Sequence, residues 1–186
     1  MTPADSGGQV ETPEPVRESA LLVVIGEAER AVGPLRARLD DAAAVQIPAH
    51  VTVLWPFLPA NAVDQPVLDR LAVLFAAHPS FDVRFERTAW FGDTVLWLAP
   101  QPAEPFVALT RVAWDAYPQC PPYRGRHAGE HPHLTIGDRR PLAELVQAER
   151  TVMPLLPISA RVEQVTLMAQ EAPQGSWAVL TTFALA

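Results

Sequence analysis

Two short stretches of this chain, "HVTV" (His50 to Val53) and "HLTI" (His133 to Ile136), repeat one arrangement of histidine, apolar residue, threonine, apolar residue. Alternate side chains of a β-strand share a face, so His50 and Thr52 would point one way while Val51 and Val53 enter a core. The same alternation groups His133 with Thr135 and puts Leu134 and Ile136 behind them. Each strand then offers an imidazole and a hydroxyl roughly 7 Å apart. Were the two strands to lie side by side, two imidazoles and two hydroxyls would line one cleft.

That set suits phosphodiester chemistry without a metal. A neutral imidazole can take a proton from attacking water, and an imidazolium can give one to the departing ribose oxygen. The threonine hydroxyls can donate to non-bridging oxygens, where charge develops in the transition state. Because the two rings must hold opposite protonation states together, a bell-shaped pH profile follows.

The loop before the second stretch, "PPYRGRHAGEHP", adds Arg124 and Arg126 beside the expected phosphate position and Tyr123 as a ring able to stack on a base. Alternatively those arginines are solvated and pair with Glu130 or Asp138. Trp55 and Phe57, just beyond the first stretch, are expected in packing rather than in base stacking.

Composition narrows the classes. Hydrophobic residues make up 49% and charged residues 19% of 186 residues, enough for a sizeable core in one domain or two lobes sharing it. A formal charge of −7 argues against a protein that coats long nucleic acid, though not against a small basic pocket. All 14 basic residues are arginine, so a Walker-type phosphate loop, a lysine Schiff base and a lysyl-adenylate are excluded. With Cys120 the only cysteine, no internal disulfide forms. No signal core or membrane-length apolar run is present, so a cytoplasmic protein without a membrane partner is expected.

Residues 1–18 are polar, aperiodic and contain proline, and read as a disordered tail before a single domain over 19–186. "ALLVVIG" then reads as a buried strand. "EAERAVGPLRARLDD" has helical spacing, with Pro34 expected to delay or kink the helix. "HVTVLWPF" is a strand, "VDQPVLDRLAVLFAAHP" an amphipathic helix, and "FDVRFERTAWF" and "TVLWLAP" strands around Gly92-Asp93. The second half follows suit: a helix in "AEPFVALTRVAWDAYP", a loop, the strand "HLTIG", and a helix starting at Pro141. Two final strands are expected, "ISARVEQVTLMAQ" and "SWAVLTTFAL". Each half carries strands, helices and one His-x-Thr strand, an α+β pattern with mainly antiparallel pairing.

On these residues the chain resembles the 2H phosphoesterases, with "HVTV" and "HLTI" similar to that superfamily's paired H-x-T-x motifs. "PAHVTVLWPF" and "HPHLTIG" are most similar to its bacterial 2′-5′ RNA ligase branch, which includes RNA 2′,3′-cyclic phosphodiesterases. The resemblance runs from about Ala20 onward. It implies two pseudo-symmetric lobes around a central cleft with helices outside, and opening of a 2′,3′-cyclic phosphate to a 2′-phosphate without cofactor. Carried over, His50 protonates the leaving 3′ oxygen, His133 activates water, and Thr52 and Thr135 hold the phosphate. The substrate implied is an RNA end or small nucleotide with a cyclic phosphate. With no lysine, any 2′-5′ joining would be the reverse of phosphodiester opening.

Other readings exist. Cys120, His127, His131 and His133 crowd one segment and could hold zinc, but the first motif would then have no role. There is no G-x-S-x-G elbow for a serine hydrolase. A non-catalytic binder of RNA ends or small nucleotides would keep the cleft without needing both an acid and a base. Oligomeric state leaves no mark on the sequence.

Overall fold

A computed structural model describes residues 17–126 and 131–186. In chain order the elements are β1 (Ser19–Val24), α1 (Glu29–Leu39), α2 (Asp41–Ala44), β2 (His50–Leu54), α3 (Gln65–Ala76), β3 (Phe81–Phe91) and β4 (Val95–Gln101). They continue with α4 (Glu104–Ala116), β5 (Leu134–Asp138), α5 (Leu142–Val152), β6 (Ile158–Val162), β7 (Gln164–Gln170) and β8 (Trp177–Ala184). Most of the expected tail lies outside the described residues. Arg17 and Glu18 are bound to the fold: Ala60 N–H donates to Arg17 O at 2.9 Å, and Gln170 N–H to Glu18 O at 3.0 Å.

Two antiparallel four-stranded sheets result, in the orders β2-β1-β7-β8 and β5-β4-β3-β6. Strand, crossover helix and returning antiparallel strand occur twice, as β1-α1-β2 and as β4-α4-β5. Each unit ends on a His-x-Thr stretch, and in each sheet that strand is the edge. The expected α+β architecture of two pseudo-symmetric lobes is what the chain forms.

The crossover helices draw these edges together. Helix α1 packs on β5 and α4 on β2, so each lobe's helix covers the other lobe's motif strand, and β2 meets β5 directly. Gly137 makes one of these approaches possible. A Cβ there would lie 2.6 Å from Leu145 Cδ2 and 3.0 Å from Leu39 Cβ, inside van der Waals contact.

Both sheets and the helices feed one continuous core. Leu21, Val23, Val51 and Val53 of one lobe join Leu96, Leu98, Leu134 and Ile136 of the other, all at most 2% exposed. Phe75, Phe85 and Phe106 are fully buried within it, each burial stabilising by about 2–3 kcal/mol. The opposite face of β1 carries Ala20 and Leu22, which build a small second cluster with Met168 and Trp177.

Two local expectations need correction. Pro34 lies inside α1 and does not delay its start. "ISARVEQVTLMAQ" is two strands: the chain leaves the second sheet after Val162 and enters the first at Gln164. Burial shows why. β6 alternates buried and exposed as an edge strand does, whereas Val165 to Ala169 are buried without a break as in a central strand. No helix among the described residues is long and apolar enough to cross a membrane.

Candidate active site

His50 and His133 are held alike. His50 Nδ1 lies 2.7 Å from Pro48 O, and His133 Nδ1 lies 2.6 Å from His131 O. A carbonyl only accepts, so each Nδ1 carries the hydrogen and each Nε2 is the nitrogen left for chemistry. His133 lines a cleft of about 860 Å³ with Thr52 and Thr135. His50 is half-buried and not on the cleft wall itself, yet near enough to His133 for the two rings to oppose each other's charging.

Burial, first, and then the nearby Arg36 guanidinium hold His50 down to about 4, so the free protein carries it neutral at neutral pH. Arg36 is 2% exposed, and both its Nε and Nη2 donate to Asp40 Oδ2, at 3.1 and 2.9 Å. A third nitrogen, Nη1, donates to Ile47 O at 3.3 Å. Asp40 uses its other oxygen to cap α2, accepting from Ala42 N–H at 3.0 Å. Glu29 Oε1 accepts from Ala49 N–H at 2.5 Å. The segment leading into His50 is thus clamped at Ile47 and Ala49 from α1.

Tyr123 joins the two motifs. Its ring lies over His133, with centroids 6.2 Å apart and planes 25° from parallel, and its hydroxyl shares a hydrogen bond with Thr52. Desolvation, only partly offset by that bond, pushes its phenol up, so it stays protonated. Tyr123 and Arg124 both adopt the left-handed backbone region, at φ 50° and 59°. Such a conformation costs about 1 kcal/mol or more per residue and persists only where the surroundings fix it. Here Tyr123 N–H donates to Trp55 O at 2.7 Å and Arg124 N–H to Pro121 O at 2.9 Å.

The other walls of the cleft are aromatic and charged. Trp55, Phe91, Asp40, Arg124, Arg126 and Arg139 contribute to them. Phe57 is buried against Tyr117 as expected, whereas Trp55 faces the cleft while flanking the small second cluster. Arg124 pairs with Glu18 rather than with Asp138, which pairs with Arg139 at 3.0 Å. Arg126 has no ion pair among the described residues and lines the cleft. Phe91 stacks on Trp97 at 4.7 Å and meets His133 edge-on at 5.0 Å, giving that ring a second aromatic support besides Tyr123.

Of the four residues considered as zinc ligands, His127 lies outside the described residues. Cys120 is buried, and burial pushes its thiol up, away from the thiolate a metal requires. Among the described residues no three His, Cys, Asp or Glu side chains cluster as a metal site.

Sequence reasoning missed Arg36, Asp40 and Glu18. A signal existed for the first two: Arg36 sits at a core position of α1, beside Val32, Leu35 and Leu39, with Asp40 four residues on to receive it. Glu18 had none, lying in what reads as tail.

The sequence model of the 2′-5′ RNA ligase superfamily matches residues 26–174, which include both motifs. No curated protein matches the chain. Among solved structures, E. coli LigT complexed with 3′-AMP is 18% identical, covers 92% of this chain and 99% of its own, and has a TM-score of 0.57. E. coli LigT complexed with NADP+ is 22% identical, with coverage of 93% and 99% and the same TM-score of 0.57. The TT0787 protein of Thermus thermophilus is 20% identical, with coverage of 90% and 97% and a TM-score of 0.57. These likenesses are of fold. With the family's sequence model spanning most of its length, the chain belongs to the 2′-5′ RNA ligase superfamily, within the 2H phosphoesterases.

Proposed function

We propose that this protein opens 2′,3′-cyclic phosphates of RNA ends or small nucleotides to 2′-phosphates by paired-histidine acid–base catalysis that needs no metal. The observation that supports this most is the matched anchoring of His50 and His133, each with Nδ1 on the carbonyl two residues back. Each anchor leaves an Nε2 free, one from each lobe, which supports a paired role for the two rings. Thr52 and Thr135, on the cleft wall, would donate to the non-bridging oxygens.

In the reaction, the water oxygen bonds to phosphorus and its proton passes to the base. The bond from phosphorus to the 3′ oxygen breaks, and the acid supplies that oxygen's proton. His133 is the base and His50 the acid in the assignment carried over from the family. His50 is neutral in the free protein, so it serves as the acid only after the bound phosphate's negative charge has raised its pKa. Tyr123, tied to Thr52 and His133 at once, orients both motifs. Arg126 supplies positive charge to the substrate. The E. coli relative was crystallised with 3′-AMP, ATP and NADP+, a range that fits a small-nucleotide ligand here.

The test is incubation with 2′,3′-cyclic AMP and a short cyclic-ended RNA, in EDTA, with product identification. Formation of 2′-phosphates supports the proposal. Tight binding without turnover would make the protein a nucleotide binder instead.

A further inference from the structure

Glu18 precedes β1 and is fixed on both sides of its backbone by Gln170: its N–H donates to Gln170 Oε1 and its carbonyl accepts from Gln170 N–H, each at 3.0 Å. Both oxygens of its carboxylate are committed to the cleft wall. Oε2 accepts from Trp55 Nε1 at 3.2 Å, and Oε1 accepts from the Arg124 guanidinium. That guanidinium lies over the Trp55 ring, 5.7 Å from its centroid. Trp55 and Arg124 face the cleft, while Glu18, 27% exposed against 50% for Arg124, stands behind them.

The two arginines of this loop are therefore not equivalent. Arg126 has no ion pair among the described residues, whereas Arg124's charge is met by a carboxylate already in place. A phosphate brought to Arg124 must displace that carboxylate or lie close to it, and charge-assisted pairs of this kind are the strong ones. An uncharged ribose or base can lie on the Trp55–Arg124 surface and disturb nothing.

We propose that Glu18 is a specificity-determining residue: it reserves the Trp55–Arg124 wall for an uncharged part of the substrate and disfavours a second phosphate there. The substrate class is then a cyclic-phosphate end whose neighbouring group on this wall is a nucleoside portion without a phosphomonoester. This inference rests on the reading of the cleft as a nucleotide site. Discrimination comes from placing a like charge against the unwanted ligand.

Calorimetric titration with adenosine 2′-monophosphate and adenosine 2′,5′-bisphosphate tests it without relying on turnover. The native protein should bind the two within ~3-fold of each other. Glu18→Gln should shift the ratio of affinities ~10-fold toward the bisphosphate, the scale of one charge-assisted hydrogen bond. Glu18→Ala, which also lacks the bond to Trp55, should show the same shift, and Arg124→Ala added to either should remove it. Binding of both nucleotides with an unchanged ratio in the Glu18 variants would overturn the proposal, as would a shift that survives Arg124→Ala. If the native protein binds neither nucleotide, the nucleotide reading of the cleft falls first and this inference with it.

Discussion

Tyr123 and His133 lie ring over ring at a 6.2 Å centroid separation, although one belongs to the connecting loop and the other opens the second motif. Through its hydroxyl the same tyrosine reaches Thr52 on β2, in the other lobe from His133. A single side chain therefore ties the two lobes together between their motif stretches. Tyr123→Phe keeps the ring and removes the tie to Thr52. Turnover should fall ~5–10-fold, the worth of one ordinary hydrogen bond, with KM little changed. Steady-state kinetics checks this, and a native rate would show that the phenol only fills space.

Thr52→Val and Thr135→Val each delete a hydroxyl on the cleft wall while preserving shape. Loss of a transition-state donor predicts ~10²-fold lower kcat in each, with the fold intact by circular dichroism. Native rates in both would make the hydroxyls structural.

His50 links proton binding to stability and, if it is the acid, to substrate binding. Its pKa of about 4 in the free protein is set by burial, Arg36 and His133, and opposed by the Pro48 carbonyl. If it acts as the acid, binding of a phosphate product near neutral pH must draw a proton into the site. Calorimetry in buffers of differing ionisation enthalpy reads this directly; no uptake would assign His50 the base's role. For stability the sign is fixed by the lowered value. The unfolded chain binds this proton near pH 6.5 and the folded one not until about 4. The contribution is complete above pH 6.5 and is lost as pH falls toward 4, on the order of 2 kcal/mol given the ring's partial exposure.

Arg36→Met removes the cation beside His50 and strands Asp40. The cost in stability should be about 3–5 kcal/mol, as for other broken buried pairs. In whatever fraction stays folded, the His50 ring should titrate above 4, toward 6.5. Its NMR titration tests this, and an unchanged midpoint would leave burial and His133 as the causes.

The paired motifs were legible because two periodicities coincide there: strand alternation puts His and Thr on one face and the aliphatic residues on the other. Helix α3 was legible for a similar reason, with Leu71 and Phe75 one turn apart and both buried. What connects the motifs was not. Tyr123 was visible as an aromatic near the site, but its bond joins a loop to Thr52 on a strand far back in the chain, and no local pattern encodes that. The pairing of Arg124 was expected nearby, with Glu130 or Asp138, because its actual partner, Glu18, lies 106 residues away in a segment of tail-like composition. The division at Glu163 was missed because each half of "ISARVEQVTLMAQ" is a sound strand alone; only the change from strict alternation to a mostly apolar run, interrupted at Thr166, marks the crossing.

In the proposed mechanism His50 and His133 work as one acid–base pair on one phosphate. The most direct measurement of this is the rate of 2′,3′-cyclic AMP opening in EDTA by the native protein, by His50→Ala, by His133→Ala and by the double variant. Each single variant should lose ~10³-fold or more, and the double variant should lose little beyond either, because groups that act as a unit are not additive. A near-native rate in either single variant, or losses that multiply in the double variant, would contradict it.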